Sequence, residues 1–448
     1  MILTNPLYAP LMGDADMASL FSAEAEIAAM ITVERALARA QGSVGVIPPE
    51  AAALIDRELS DVKLAPEALA EGTLKAGVPV PPLVAALRAK VSSDAAHWLH
   101  WGATTHDIMD CALLLRLRDG FDLLEARLAI LTDTLASLAE AHADTPMAGR
   151  TRTQIATPIS FGLRVAYWLQ ALLDQRDRLP ALRAACSKVQ FGGASGSNSA
   201  TAPHGPAIIE ALARELNLTA ASPWHTSRAF APDIANWCAT LCGALARIAG
   251  DVLLLARREI AEIRLAGGGG SSTMPNKANP VSAEVIGALA RYAATLTSPA
   301  ALATQHLEDR DSTSWMLEWI AIPQAMTCAA ACLAKAQATL DAMTPDPDAM
   351  TRNLALDGGA ALAEAASFAL AEHLPRAEAQ AAVKEAAIQS RETGRPMLEV
   401  LTEATGIPDL TTETDALARQ GTGSEIIHDI VHRARQHPRT VSDRPDRT

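Results

Sequence analysis

The chain has 448 residues, a formal net charge of −13, 49% hydrophobic residues and only 4% aromatic residues. The acidic balance disfavours nucleic acid as a partner, and no uninterrupted apolar run reaches the roughly 18 residues that span a bilayer. The first residues also lack the basic and apolar regions of a signal peptide. We therefore predict a cytoplasmic protein, without a membrane partner, whose core is built from Ala- and Leu-rich helices.

The N-terminal segment, residues 1–106, is predicted to be a small helical domain that ends in a polar motif. This motif contains His100, Thr104 and Thr105, whose side chains can hydrogen-bond a substrate carboxylate. The same Thr-Thr-x-Asp pattern is also a good helix start, and the two interpretations are compatible because helix N-termini attract anions. A zinc site formed by His97, His100 and His106 is the alternative, although no clear third-ligand geometry supports it.

Residues 107–343 contain long helical patterns that predict a helix bundle. An apolar seam with spacings of three and four runs through the first pattern for more than three heptads: Leu114, Leu117, Phe121, Leu124, Leu128, Leu131, Leu135 and Leu138. Further helical patterns follow at Asp233–Leu265, from about Pro280, and from Trp315 to about Ala342.

The cysteines are interpreted as small buried hydrophobic residues. The pairs Cys238/Cys242 and Cys328/Cys332 have a spacing that can place two thiolates on one helix face. No histidine or carboxylate pattern completes a zinc set, so metal binding is the less favoured alternative. We predict no metal.

The strongest functional signal lies between two of the helical patterns. The segment is Gly267-Gly-Gly-Gly-Ser-Ser-Thr-Met-Pro-Asn-Lys277-Ala-Asn279-Pro-Val-Ser-Ala-Glu284. Four consecutive glycines have too much backbone freedom to hold one conformation by themselves, and loops between rigid elements often carry catalytic residues. A plain Gly/Ser linker does not explain the residues after the serines, and the Gly-Lys-Ser/Thr of a phosphate-binding loop is missing.

This segment resembles the Gly-Ser-Ser-x-Met-Pro-x-Lys-x-Asn-x4-Glu signature of the fumarase/aspartase superfamily. Every fixed position of the signature is present, from Gly270 to Glu284. The motif from His100 to Asp107 resembles the superfamily pattern His-x-Gly-x-Thr-Ser-x-Asp. The opening residues and the residues from His306 onwards are similar to those of 3-carboxy-cis,cis-muconate cycloisomerases. The Trp-His-Thr-x-Arg pattern that starts at Trp224 is similar to that of cycloisomerases and of adenylosuccinate lyases.

A second stretch, from Gly149 to Gly162, resembles the superfamily's Arg-Thr-His-x-Gln-x-Ala-x-Pro-x-x-Phe-Gly motif. Arg152 replaces the histidine that helps to protonate the leaving group in many of these lyases. Arginine cannot take over this role, because it stays charged throughout the accessible pH range. Either activity has been lost, or the leaving group needs no proton. A carboxylate fits the second case, because a carboxylic acid has a pKa near 4.

The resemblance implies an all-α fold of three helical domains, at residues 1–106, 107–343 and 344–448, with a catalytic loop at 267–280 and a homotetramer built around a shared bundle. It implies conversion of a small polycarboxylate, 3-carboxy-cis,cis-muconate, to 4-carboxymuconolactone in aromatic degradation through the beta-ketoadipate pathway, without a cofactor. An adenylosuccinate- or argininosuccinate-type lyase is the alternative activity. A non-catalytic bundle protein is less favoured, because a purely structural role does not require the intact loop.

The resemblance also implies roles for individual side chains. Ser271 is the candidate for the proton exchanged with carbon, and Lys277 and Asn279 are expected to hold the carboxylate on which negative charge accumulates. Glu284 is expected to orient Lys277 or the loop. The expected substrate-binding residues are His100, Thr104, Thr105, Arg150, Thr151, Arg152, Gln154, Ser272, Met274, Glu284 and Arg310.

Overall fold

The computed structural model describes residues 2–266, 269–270, 278–407 and 421–436. Its secondary structure is dominated by helices, so the predicted all-α class is confirmed. The first ten helices are α1 Ala9–Met12, α2 Ala15–Leu20, α3 Ala23–Ser43, α4 Pro49–Glu58, α5 Glu67–Ala76, α6 Val80–Arg88, α7 Ser93–Ala96, α8 Thr105–Ala141, α9 Phe161–Ala185 and α10 Gly205–Leu216. The others are α11 Phe230–Leu255, α12 Val281–Thr295, α13 Thr297–Leu302, α14 Ser312–Asp341, α15 Pro347–Leu354, α16 Ala363–Leu370, α17 Arg376–Thr393, α18 Met397–Thr405 and α19 Gly423–Arg435.

Short antiparallel strand pairs and 3-10 turns connect the helices. The strands are β1 Pro146–Thr151, β2 Gln154–Ser160, β3 Ile263–Leu265, β4 Gly269–Gly270, β5 Ala278–Asn279 and β6 Met343–Pro345. They pair as β1 with β2, β3 with β6 and β4 with β5. The 3-10 turns are Ile2–Thr4, Ser199–Thr201 and Leu356–Leu362.

The seam predicted for the first long helix is buried in α8. Leu114, Leu117, Phe121, Leu124, Leu128, Leu131 and Leu135 each expose 1% or less of their surface. Leu138 is only half-buried, and the neighbouring Ala139 takes the buried position at the end of the helix. Phe121 packs edge-to-face against Trp237 of α11, with ring centroids 6.4 Å apart. The heptad pattern therefore marks the face of α8 that packs in the core.

The prediction of one helix from Asp233 to Leu265 is wrong at its C-terminal end. The helix α11 ends at Leu255, and Ala261 has a left-handed φ of 52°. Residues Ile263–Leu265 form β3 and pair with β6. Glu262 is fully buried and binds Arg150. Glu262 gains a partner in Arg150, and the backbone of β3 pairs with that of β6. A continued helix would not offer these contacts, so this segment leaves the helix.

The described residues divide into two compact units. One unit comprises residues 1–127, 177–243 and 288–332, and the other comprises residues 128–176, 244–287 and 333–448. The three-domain division at residues 106 and 343 stays a prediction. Several long helices contribute residues to both units, α8 among them.

In the first unit, a hydrophobic core forms between α3, α4, α10 and the first turns of α8. Leu37 and Ile55 are buried at the contact between α3 and α4. Ser22 caps the start of α3, because its Oγ accepts a hydrogen bond from the Ala25 N–H at 3.2 Å. This cap satisfies one of the free N–H groups that every helix start carries.

In the second unit, two smaller cores lie in the C-terminal part of the chain. The helices α16, α17 and α18 bury a cluster that includes Leu370, Val383 and Leu401. The strand β1 contributes Ala148 to a second cluster with Leu354 and Ala361. This second cluster anchors the hairpin that carries the Arg152 motif.

Among the described residues, two helices are long and apolar enough to span a membrane by length and composition alone. They are α11, with a mean hydropathy of 1.7, and α14, with a mean hydropathy of 1.3. The protein interior buries 44% of the apolar window of α11 and 72% of that of α14. Core helices of globular proteins share this composition, because a helix that is apolar on all sides is also typical of a large protein core.

Candidate active site

Asp107 joins three separate segments of the first unit. Its Oδ2 accepts hydrogen bonds from the backbone N–H groups of Thr104 at 2.9 Å and Gly193 at 3.0 Å. Its Oδ1 accepts from the Gly192 N–H at 2.9 Å and contacts Nε2 of His225 at 3.0 Å. The carboxylate is 1% exposed. One buried side chain therefore holds the start of α8, the turn at residues 192–193 and the Trp-His-Thr segment in a common arrangement.

The turn at residues 192–193 requires glycine for two reasons. A methyl group on Gly192 would lie 2.8 Å from Cε1 of His225 and 2.9 Å from Cβ of Pro223, which is too close for a real contact. Gly193 has a left-handed φ of 68°, a conformation that costs most other residues free energy. Glycine therefore lets the backbone come close enough to donate both N–H groups to Asp107.

The structure brings together three of the predicted substrate-binding residues at the N-terminus of α8. Thr105 is the first residue of the helix, and Thr104 precedes it. Nη1 of Arg310 donates a hydrogen bond of 2.5 Å to Oγ1 of Thr104, and the Arg310 side chain is exposed. A cation, two hydroxyls and the positive end of a helix dipole thus lie in one place. This combination suits the binding of a carboxylate.

His100 lies just before this helix and is paired with a buried acid. Its Nδ1 is 2.6 Å from Oε1 of Glu34, whose side chain is fully buried. Burial disfavours the protonated ring, but the charge and hydrogen bond of Glu34 outweigh it and raise the pKa of His100. The pairing favours the protonated ring, and the charge of that ring is balanced by Glu34. The substrate-binding role of His100 stays a prediction.

His106, the second residue of α8, has no hydrogen-bond partner for either ring nitrogen among the described residues. The ring is 3% exposed and stacks on Trp315 with centroids 3.6 Å apart. Burial lowers the pKa of His106 to about 3, so the ring is neutral at physiological pH. In the described ranges, no three His, Cys, Asp or Glu side chains cluster closely enough to hold a metal ion.

Behind these residues, a buried ion network fixes α8 to α14. Arg228 is fully buried and donates to both oxygens of Asp110, at 2.7 and 2.8 Å. It also donates to both oxygens of Glu318, at 2.8 and 2.5 Å. Burial raises the pKa of Glu318 to about 7 although Arg228 opposes the shift. The pKa of Asp110 is lowered, because Arg228 outweighs the effect of burial. A single guanidinium shared by two carboxylates explains the opposite directions.

The second predicted motif forms the hairpin β1–β2 of the other unit. Thr151 pairs with Gln154, so the loop consists of Arg152 and Thr153 alone. Both loop residues have left-handed φ angles, of 50° and 68°, as in a type I′ turn. The side chains of Thr151, Arg152 and Gln154 are exposed. The hairpin therefore presents Arg152 at its tip. Thr153, the other loop residue, has a left-handed backbone conformation that β-branched residues rarely adopt.

Arg150 is engaged within the same unit. Its guanidinium donates two hydrogen bonds to the fully buried carboxylate of Glu262, at 2.9 and 2.6 Å. Nδ2 of Asn353 donates to the same carboxylate at 3.0 Å. This bidentate pair ties the hairpin to the segment after α11. The contact explains the Arg150 position structurally, and its substrate-binding role stays a prediction.

The predicted catalytic loop, residues 267–280, is only partly described. Ser271, Ser272, Met274 and Lys277 lie outside the described residues. At the two flanks, the backbone of Gly269 pairs with that of Asn279, and Gly270 pairs with Ala278. Asn279 is half-buried, and Glu284 is an exposed residue in the first turn of α12. The predictions for these side chains remain untested.

A cleft of about 600 Å³ lies in the first unit beside the N-terminus of α10. Gly196, Ser197, Ser222 and Pro223 are among its lining residues. None of the site residues predicted from the sequence lines it in the described ranges. Its wall at Gly196 and Pro223 adjoins the segment that carries His225. No local sequence pattern links His225 to Asp107, because 118 positions separate the two residues.

Comparison with known proteins agrees with these observations. A family model described as "Lyase" matches residues 12–293, which is more than half of the chain. The chain belongs to the lyase family. A curated relative from Pseudomonas aeruginosa, named 3-carboxy-cis,cis-muconate cycloisomerase, is 39% identical to this lyase over 406 residues, covering 89% of the chain and 88% of the relative. The predicted membership in the fumarase/aspartase superfamily is confirmed.

Two further proteins show the range of this family. The crystal structure of 3-carboxy-cis,cis-muconate lactonizing enzyme from Pseudomonas putida matches with a TM-score of 0.90 and 33% identity, covering 96% of this lyase and 99% of that chain. A relative from Streptomyces davaonensis is named nitrosuccinate lyase and is 35% identical over 422 residues, covering 90% of this lyase and 88% of the relative. Relatives of similar sequence therefore carry different named activities.

Proposed function

We propose that this lyase is a cycloisomerase that converts 3-carboxy-cis,cis-muconate to 4-carboxymuconolactone. The observation that carries the proposal is the 39% identity to a cycloisomerase across 89% of the chain. Arg152 at the position of the superfamily's proton-donating histidine adds a chemical argument. In this reaction the group added to carbon is the substrate's own carboxylate, which needs no proton donor when it leaves in the reverse direction.

The proposed substrate carries three carboxylates, and the chain offers cationic or hydrogen-bonding groups suited to them. Thr104, Thr105 and Arg310 would hold one carboxylate at the N-terminus of α8. Arg152 at the tip of the β1–β2 hairpin is exposed and would bind another. His100, held by its contact with Glu34, would add a hydrogen-bonding group. Arg150, Thr151, Gln154, Ser272, Met274 and Glu284 complete the proposed substrate-binding set.

The proposed chemistry places charge on one carboxylate of the substrate. When the distal carboxylate attacks the double bond, electrons move onto the adjacent carbon and its carboxylate. Lys277 and Asn279 would stabilise that charge, and Ser271 would deliver the proton to carbon. No cofactor is needed, because the reaction involves no oxidation and no group transfer, and its one added proton comes from solvent.

The assembly and location of the protein are also proposals. We propose a homotetramer in which different chains contribute to each site, and a cytoplasmic location. The exposed side chains of Leu254 on α11 and Tyr292 on α12, which are 45% and 40% exposed, offer apolar surface for contact with other subunits. Small polycarboxylates would be the ligands, with no nucleic-acid or membrane partner.

The proposed activity is tested by incubating the purified protein with 3-carboxy-cis,cis-muconate and following the loss of its diene absorbance. The expected result is lactone formation with one proton consumed per turnover. Nitrosuccinate, adenylosuccinate and argininosuccinate are the competing substrates. Turnover of one of these, with no consumption of the muconate, would replace the proposed activity with a lyase activity. Inactivity towards all four would favour a non-catalytic role.

A further inference from the structure

Two polar side chains of α3 are buried against the segment that precedes the Thr104 motif. Glu34 and Gln41 are each 1% exposed, and they lie about two helical turns apart on α3. Nε2 of Gln41 donates a hydrogen bond of 2.7 Å to the carbonyl oxygen of Trp101. Oε1 of Glu34 lies 2.6 Å from Nδ1 of His100. The helix therefore contacts both the backbone of this segment and its histidine side chain.

The backbone of the segment is anchored without Glu34. Besides the contact from Gln41, Nη2 of Arg88 donates to the carbonyl oxygen of Leu99 at 3.0 Å. A further anchor does not require an acid, because burying an ion pair costs the desolvation of both charges. Oε2 of Glu34 has no hydrogen-bond partner among the described residues, so His100 is the group that compensates this carboxylate. The use of an acid here indicates a role in the charge state of His100.

His100 presents one nitrogen to the interior and leaves the other accessible. Its φ of 63° is left-handed, a strained conformation that often occurs where a side chain is placed for a ligand. The side chain is 18% exposed. Nε2 makes no hydrogen bond with the described residues, yet it is not enclosed as the ring nitrogens of His106 are. The charge of Asp107, which accepts the Thr104 N–H, also acts on the ring. The ring therefore lies within electrostatic reach of the start of α8.

The protonation state of His100 decides what Nε2 offers to a ligand. With Nδ1–H directed at Glu34, a neutral ring carries a lone pair at Nε2, which repels a carboxylate. The imidazolium carries a hydrogen at Nε2 as well and donates it. The charged groups that act on the ring are Glu34 from α3, Asp107 from α8 and Arg88 from α6. Burial and Arg88 oppose protonation, but the two carboxylates outweigh them and raise the pKa of His100.

We propose that Glu34 is a positioning residue for substrate binding, which holds Nδ1 of His100 so that Nε2–H donates to a carboxylate of the substrate. Because the ion pair is neutral as a whole, it supplies a directed donor and little long-range attraction. The substrate affinity that depends on Glu34 should therefore respond to pH more than to ionic strength. The inference rests on the proposed function and adds to it the residue on which the binding role of His100 depends.

The decisive variant is Glu34→Gln. The amide oxygen still accepts from Nδ1–H, so the ring keeps its orientation, but the charge that favours the imidazolium is lost. We expect KM at about pH 7.5 to rise by about 10-fold or more, with kcat within about threefold of the wild type. In the wild type, KM should increase as pH rises through the raised pKa of His100. In the variant, this increase should begin at least about one pH unit lower. Glu24→Gln, at an exposed position of the same helix, is the matched control and should behave as the wild type.

A second substitution separates this role from a structural one. His100→Asn removes the ring and introduces a residue type that tolerates the left-handed backbone. If Glu34 acts through His100, Glu34→Gln should change KM by less than about twofold in the His100→Asn background. An equally large effect in both backgrounds would show that Glu34 only supports the packing of the segment, and would overturn the inference. A Glu34→Gln enzyme with the KM and the pH profile of the wild type would overturn it as well.

If Glu34→Gln does not fold, Glu34→Asp takes its place, because aspartate keeps the charge but withdraws it by one methylene group. The increase of KM must then begin at lower pH than in the wild type. A profile that is unchanged in Glu34→Asp, or a wild-type KM that is flat from about pH 5.5 to pH 9, overturns the inference.

Failure of the proposed function is recognised separately. A wild-type protein that does not convert 3-carboxy-cis,cis-muconate contradicts the proposed activity, and the non-reacting probe propane-1,2,3-tricarboxylate then tests the role of Glu34 by calorimetry. A dissociation constant that is about 10-fold higher for Glu34→Gln than for the wild type supports the positioning role. Equal dissociation constants for the two proteins, or no binding of the probe to the wild type, overturn it.

Discussion

Asp107 and His225 are 118 positions apart in the chain and lie 3.0 Å apart in the folded first unit. The same carboxylate receives three backbone N–H groups, so removing it leaves several buried donors without an acceptor. Each such donor costs about 1–3 kcal/mol. We therefore expect Asp107→Ala to lower the free energy of unfolding by at least about 3 kcal/mol, measured by urea denaturation. Asp119→Ala, at an exposed position of the same helix, should change it by less than about 0.5 kcal/mol. A loss below about 1 kcal/mol for Asp107→Ala would contradict this account.

Arg310 and Thr104 are expected to act as one carboxylate-binding unit. A hydrogen bond to a charged group contributes about 1.5–3 kcal/mol, so Arg310→Ala should raise KM by about 10-fold or more while kcat changes less. The increase should shrink at high ionic strength, because salt screens an exposed cation. Thr104→Val should add little when Arg310 is already absent. Additive effects of the two substitutions would show that they act separately, and the exposed Arg352→Ala serves as the control.

Glu318 should make the stability of the protein depend on pH. Its pKa is raised from 4.5 to about 7 in the folded state, so the folded protein binds a proton that the unfolded chain releases in this window. The stabilisation is therefore fully present below about pH 4.5 and is lost as pH rises through about 7, with a total near 3 kcal/mol. Urea denaturation across this range should show the decline in the wild type. It should be absent in Glu318→Gln and present in Glu392→Gln, which changes an exposed glutamate.

The left-handed Thr153 at the tip of the β1–β2 hairpin is expected to cost stability. Glycine at this position relieves about 1–2 kcal/mol of strain but loses about 0.5–1 kcal/mol through its greater freedom in the unfolded chain. Thr153→Gly should therefore raise the free energy of unfolding by up to about 1 kcal/mol. Thr151→Gly, in the strand itself, should lower it by a similar amount. Destabilisation by Thr153→Gly would show that the threonine side chain makes contacts that outweigh the strain.

Ser271 and Arg152 should complement each other between subunits if each site draws on several chains. Ser271→Ala is expected to lose about 10²–10⁴-fold in kcat, and Arg152→Ala is expected to bind the anionic substrate poorly. After the two inactive variants are dissociated, mixed in equal amounts and reassembled, about one quarter of the sites should contain both native residues. Hybrids that mass spectrometry confirms, but that remain inactive, would show that each site is built within one chain.

The sequence by itself determined the helical class, the buried face of α8 and the superfamily. These features are local: an apolar seam repeats at helical spacing, and the signature from Gly270 to Glu284 lies within one short segment. The Thr-Thr-x-Asp motif was likewise predicted to start a helix, and α8 begins at Thr105. Local periodicity and capping chemistry are sufficient for such predictions, because the interacting groups are neighbours in the chain.

Only the tertiary structure decided which polar groups meet. The contact of Asp107 with His225, the pairing of Arg150 with Glu262, and the end of α11 at Leu255 all depend on residues that are far apart in sequence. A buried carboxylate finds its donors wherever the folded chain brings them, and periodicity carries no information about that path. A helical pattern can also be overruled when a buried acid and a strand partner satisfy the backbone better. The partners of Asp107 and Glu262 were therefore set by the fold, through the cost of burying a charge without partners.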